Sequence, residues 1–153
     1  MIQRIQSLYL LAVAALMIAA TFTPLAYFVG GVEEYKLFAF SLKSAEVTHS
    51  TIYMGIIVAL SAIVPTVTIF LFKNRMLQVR LCAVEIVVLL GCIAFMAIYF
   101  WLSGANALEA AVVEHRQFGW AAIMPIVALV LVSLAARATF KDEVLVRSLD
   151  RIR

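Results

Sequence analysis

The sequence predicts an all-α membrane protein: a four-transmembrane-helix bundle with a small extracytoplasmic β-hairpin between helices 1 and 2 and a C-terminal cytoplasmic amphipathic helix. Three observations carry this. Of 153 residues, 65% are apolar and only 14% are charged, against an ordinary soluble balance of about 45–50% and about 25%. A soluble domain of this size has no means of hiding that much apolar surface. The surplus falls in four long stretches separated by short charged ones. The cations also divide unevenly between the two sides that such a path creates.

The first apolar stretch runs from about Ile5 to Thr23, with Arg4 before it and Pro24 after it. A secretory signal peptide also opens with a cation and an apolar core. This stretch exceeds the usual core of about 7–15 residues, and no polar region with an A-x-A site follows. It is read as a retained span. The other spans are expected at about 51–72, 81–102 and 118–136, each near the 20 residues that a 30 Å hydrocarbon core requires. The chain is one integral membrane domain over 1–153, with no room for a separate soluble one.

Orientation follows from counting Lys and Arg. One side collects Arg4, then Lys73, Arg75 and Arg80 in the second loop, then Arg137, Lys141, Arg147, Arg151 and Arg153 in the tail. Lys36, Lys43 and Arg116 lie on the other. A nine-to-three split places both termini and the second loop in the cytoplasm. Tyr53, Tyr99, Trp101 and Trp120 fall at the outer ends of their spans, as an interfacial belt requires. The net charge of +3 is thereby explained by topology, and nucleic-acid binding is not needed.

Between spans one and two, LAYFV and VEEYKLFAF flank Gly30-Gly31, a two-residue hairpin signal. Residues 25–39 are expected as two paired strands, against the alternative of a helix continuing through Val29. The third loop, SGANALEAAVVEHRQ, reads as a short surface helix. In the tail, residues 137–153, Leu145, Leu149 and Ile152 recur at i, i+4 and i+7 among charges, with Glu143 and Arg147 an i, i+4 pair. Such a helix lies along the inner membrane surface, or docks on a partner.

Three cytoplasmic segments, MIQRIQSLYLL, FLFKNRMLQVRLC and KDEVLVRSLDRIR, together resemble a family of small bacterial membrane proteins, domain of unknown function 4293, found mainly in Bacteroidota. The resemblance covers essentially the whole chain and implies a four-helix inner-membrane protein. No catalytic residue is known for the family, so none is carried over.

Glu85 is the formally charged residue inside a span, about 7–8 Å deeper than Arg80. An acidic group in hydrocarbon is costly unless paired, hydrogen-bonded or protonated. Span one enters from the same side and brings Arg4, Gln6, Ser7 and Tyr9, with Gln3, to similar depth. Two readings stand: a structural cluster tying spans one and three, or a proton or cation position. A contact to a partner is a third. His49 and His115, with Glu46 and Glu114 near them, lack compact ligand spacing for a metal and read as interfacial polar residues. Cys82 and Cys92 lie about 15 Å apart along one helix, so they do not pair with each other. Pro65 and Pro125 are candidate kinks. Ala15 to Ala19 and Gly55 to Ala59 are spacings that permit close packing.

No phosphate-binding glycine loop, H-E-x-x-H motif or nucleophile elbow is present, and a lone glutamate makes a poor acid and base pair. No catalytic residue, cofactor or metal is expected. The leading expectation is a structural, assembly or accessory interaction protein, partnered by the lipid bilayer and by another protein or its own copies. The alternative is a minimal ion or small-molecule translocator, oligomeric and using Glu85; the third class is a membrane-embedded enzyme.

Overall fold

The computed structural model describes residues 2–30, 33–43, 48–71, 75–103 and 113–150. Four helices in it are long and apolar enough to cross a membrane, at Ile5–Phe22, Ile52–Phe70, Met76–Trp101 and Trp120–Asp142. Helix α1 spans Ile2–Phe22. It stops because Pro24 disfavours helical backbone at the residue before it. The hydroxyls of Thr21 and Thr23 donate to the Met17 and Ala19 carbonyls. Helix α2 spans Ile52–Phe70 and α3 spans Arg75–Ile98, continued by a π-helical turn at Tyr99–Ser103. A 3-10 turn, Trp120–Ile123, leads into α4, Met124–Asp150.

Each helix turns small or apolar residues inward at steps of three or four residues. Examples are Leu10, Val13 and Met17 on α1, Met54 and Val58 on α2, Leu89 and Cys92 on α3, and Ala128, Val132 and Ala135 on α4. The main packing seams are α1 on α2, α2 on α3, α3 on α4 and α4 on α1. Helices α1 and α3 are therefore diagonal across the bundle. The outward faces are apolar as well: Leu8, Leu11 and Ile18 on α1, Ile56, Leu60 and Ile63 on α2, Val84 and Val87 on α3, and Ile126 and Val130 on α4.

A five-stranded antiparallel sheet caps the end where α1 gives way to α2 and α3 to α4, in the order β4-β3-β2-β1-β5. Its strands are β1 Ala26–Gly30, β2 Glu33–Leu37, β3 Ser41–Lys43, β4 Thr48–Ser50 and β5 Val113–Phe118. Alternation gives the sheet two different faces. Ala26, Phe28, Leu37 and Leu42 are buried toward the bundle. There Phe100 of the π-turn stacks on Phe118 at 3.8 Å between ring centroids and tilts against Phe28 at 5.8 Å. On the other face exposed Lys36 pairs with Glu34 at 3.7 Å and lies over the Tyr27 ring.

Several expectations change. The fold is a helical bundle with a sheet rather than all-α with one hairpin. The hairpin forms, with Gly30 paired to Glu33; Gly31 of the expected Gly30-Gly31 turn lies outside the described residues. In the third loop Val113–Phe118 is a strand on the open edge of β1, not helix; β-branched Val113 and a waiting hydrogen-bonding edge outweigh local helix propensity. The rest of that loop lies outside the described residues.

Arg75 and Arg80 belong to α3 rather than to a loop, because RMLQVRLC contains no helix breaker. Helix α4 runs unbroken past residue 136 to Asp150, with no glycine or proline to separate a tail helix. The Leu145, Leu149 and Ile152 stripe lies outside the described side chains. Pro125 sits in the first turn of α4, where its missing N–H costs nothing and bends nothing. Pro65 is buried in the interior of α2 and offers no N–H to the Ser61 carbonyl. Gly55 seats the Phe40 ring, which a Cβ would strike, so the Gly55 to Ala59 spacing serves the sheet connection as well as the helices.

Candidate functional site

Polar side chains gather inside the bundle, away from the sheet. Cys82, Glu85, Leu89, Cys92 and Met96 recur at 3, 4, 3 and 4 residues along α3, and all are buried. Helical periodicity alone therefore turns Glu85 to the interior, between two free cysteines. Gln6 on α1, Thr68 on α2 and Thr139 on α4 are buried too. Counted along each helix from its sheet end, these four residues lie about 20 to 24 Å down. Each helix thus contributes one polar group at closely similar depth.

The members differ in how their hydrogen-bonding capacity is met. The Thr68 hydroxyl donates to the Val64 carbonyl at 2.7 Å, and the Thr139 hydroxyl to that of Ala135 at 2.8 Å. Both use the carbonyl four residues back, as threonines in apolar helices do. One level nearer the helix ends, Gln78 donates from Nε2 to the Thr68 carbonyl at 3.1 Å and ties α3 to α2. Ser61 donates to Val58 at 2.9 Å. By contrast, Gln6 Nε2 and both carboxylate oxygens of Glu85 have no hydrogen-bond partner among the described residues, although the two residues are only 5% and 1% exposed.

The cluster expected from the sequence is therefore assembled only in part. Glu85 and Gln6 both face the interior at matching depth, but they share no hydrogen bond. The diagonal placement of α1 and α3 supplies the reason, since the two helices have no common seam. Ser7 and Tyr9 are half-buried, and Tyr9 lies in a groove between α1 and α4 with Arg137 and Lys141. The side chain of Arg4 is outside the described residues. Thr68, Gln78, Thr139 and Ser61 were not singled out from sequence. Ser61 and Thr68 are polar residues inside an apolar run, which was the available signal, whereas Gln78 lies between Arg75 and Arg80 and Thr139 between Arg137 and Lys141, where one more polar residue gives none.

His49 and His115 lie on β4 and β5, the two opposite edges of the sheet. Four strand spacings separate those edges, about 19 Å between the two backbones. Glu46 is outside the described residues. Tyr53, Trp101 and Trp120 are strongly exposed near the sheet end of the bundle, whereas Tyr99 is half-buried and stacks on Phe95. Arg116 donates from its guanidinium to the carbonyls of Phe100 and Trp101, both at 3.4 Å, holding the π-turn under the sheet.

Comparison with curated proteins finds no match. The model of the family described as domain of unknown function (DUF4293) matches residues 2–152, essentially the whole chain, and the protein belongs to that family.

Proposed function

We propose that the chain is a multi-pass protein of a bacterial inner membrane that serves as a structural, assembly or accessory interaction component. The carrying observation is the reversed polarity of the bundle. Large apolar side chains face outward while Glu85, Gln6, Gln78 and the buried threonines face inward. Water would penalise such an exterior, and hydrocarbon would not. Exposed Trp120, Trp101 and Tyr53 form a collar at the sheet end, where an interfacial belt belongs. The charge split supports cytoplasmic termini and an extracytoplasmic sheet.

The interaction role is supported by the sheet itself. Among the described residues no strand covers the outer edge of β5, whose His115 and Gln117 side chains are exposed. An open, polar-flanked edge is a surface that a partner strand can extend. In vivo photocrosslinking from positions 115 and 117, followed by mass spectrometry, tests this. A discrete protein adduct at those positions, lost at lipid-facing position 87, is expected. Adducts that are absent, or equal at all three positions, contradict it.

A second reading, a minimal ion or small-molecule translocator using Glu85, is favoured by one observation: the carboxylate is enclosed with no hydrogen-bond partner among the described residues. A single bundle offers little room for a water-filled path, so this reading requires an oligomer. The mass of the native complex in a mild detergent separates the two, a monomer counting against translocation.

A further inference from the structure

Helices α1 and α4 leave a groove of about 620 Å³ between them at the end away from the sheet. Ile5, Leu134 and Ala138 give it apolar walls, and Tyr9, Phe140, Arg137 and Lys141 complete its lining. Ile5, Leu134, Phe140, Arg137 and Lys141 are all exposed on the outside of the bundle. Arg137 and Lys141 are one helical turn apart, about 6 Å along the axis, so both heads can reach one phosphate. Both fall inside the apolar segment Trp120–Asp142, and neither is in an ion pair among the described residues. A cation at such a depth needs an anion or a route to the headgroups.

We infer that this groove is a binding site for one anionic phospholipid of the cytoplasmic leaflet. Arg137 and Lys141 hold the lipid phosphate, and an acyl chain lies along Ile5 and Leu134. The inference rests on the reading of α1 and α4 as membrane spans. Its chemistry follows from the lining: paired cations at the mouth select negative charge, and the apolar wall below selects a lipid over a free phosphate. Basic pockets between spans on the cytoplasmic side are suited to such headgroups.

The test uses full-length protein in detergent, offered an equal mixture of phosphatidylglycerol and phosphatidylcholine, with bound lipid counted by native mass spectrometry. One phosphatidylglycerol per chain is expected, preferred about tenfold or more, the scale that two cations at a membrane surface set. In nanodiscs of neutral lipid, added phosphatidylglycerol should raise Tm by about 2–4 °C, and glycerol phosphate should not. The double variant Arg137→Gln, Lys141→Gln should lose both effects, while Arg80→Gln on α3 keeps them. Equal retention of the two lipids by the unaltered protein overturns the inference without any variant. So does an effect reproduced by glycerol phosphate, or one lost equally in Arg80→Gln. Failure of the span reading registers separately, as extraction of the protein from membranes by alkaline carbonate without detergent.

Discussion

Glu85 is held inside the bundle by its position in a repeating helical pattern, not by any bond that its carboxylate makes. That distinction sets the outcome of replacing it. Had Ser7, Gln6 or Tyr9 bonded the carboxylate, Glu85→Leu would strand their polar atoms at about 1–3 kcal/mol. The described geometry contains no such bond, so an apolar isostere removes a desolvated polar group and strands nothing. Glu85→Leu is expected to be neutral or to stabilise by up to about 1–3 kcal/mol. Glu85→Gln should keep the fold as well. Thermal melting of both variants in one detergent measures this, and a growth defect in a melt-stable variant would give the carboxyl a working role. A marked loss of stability in the Leu variant would restore the structural-cluster reading. The sequence disclosed Glu85 as a charged residue within a long apolar stretch. It did not disclose the diagonal arrangement, because helix order around a bundle is fixed by seams between distant segments.

Two glycines, one where the sheet joins the bundle and one within α3, give opposite expectations. The Gly119 N–H donates to the Leu25 carbonyl at 2.9 Å, and a Cβ there would collide with the Pro24 carbonyl oxygen. That contact clamps the exit of α1 to the entry of α4, and neither backbone is a flexible side-chain end that can yield. Gly119→Ala should cost about 1–3 kcal/mol through backbone displacement. Gly91, in the middle of α3, has nothing within 4 Å of its would-be Cβ. Gly91→Ala should cost nothing and gain up to about 1 kcal/mol from helix propensity. Melting temperatures in a common detergent compare them, and equal behaviour would dismiss the clamp. The four long apolar helices were legible because hydropathy and length suffice to mark them. Strand β1 and strand β2 were legible from aromatic and β-branched residues around a glycine turn. Strand β5 was not, since what makes Val113–Phe118 a strand is the edge of β1, more than eighty residues earlier in the chain.

At the scale of the whole molecule, the bundle and its cap divide the chain into two ends of different chemistry. The sheet end carries a face with a Glu34–Lys36 ion pair and a collar of exposed aromatics. The far end carries the entry of α1, the start of α3 with Arg75 and Arg80, and the basic stretch of α4 with Arg137 and Lys141. In the sequence nine of the twelve Lys and Arg residues fall in the segments that an antiparallel four-helix path puts on one side, and the proposal of cytoplasmic termini rests on applying the positive-inside rule to that side. The proposal that this is a four-span membrane protein with its sheet outside is tested most directly by topology reporters. Fusions after Lys73 and after Arg153 should read as cytoplasmic, and insertions near Gly31 and Ala107 as exported. A cytoplasmic signal at Gly31 would contradict the account.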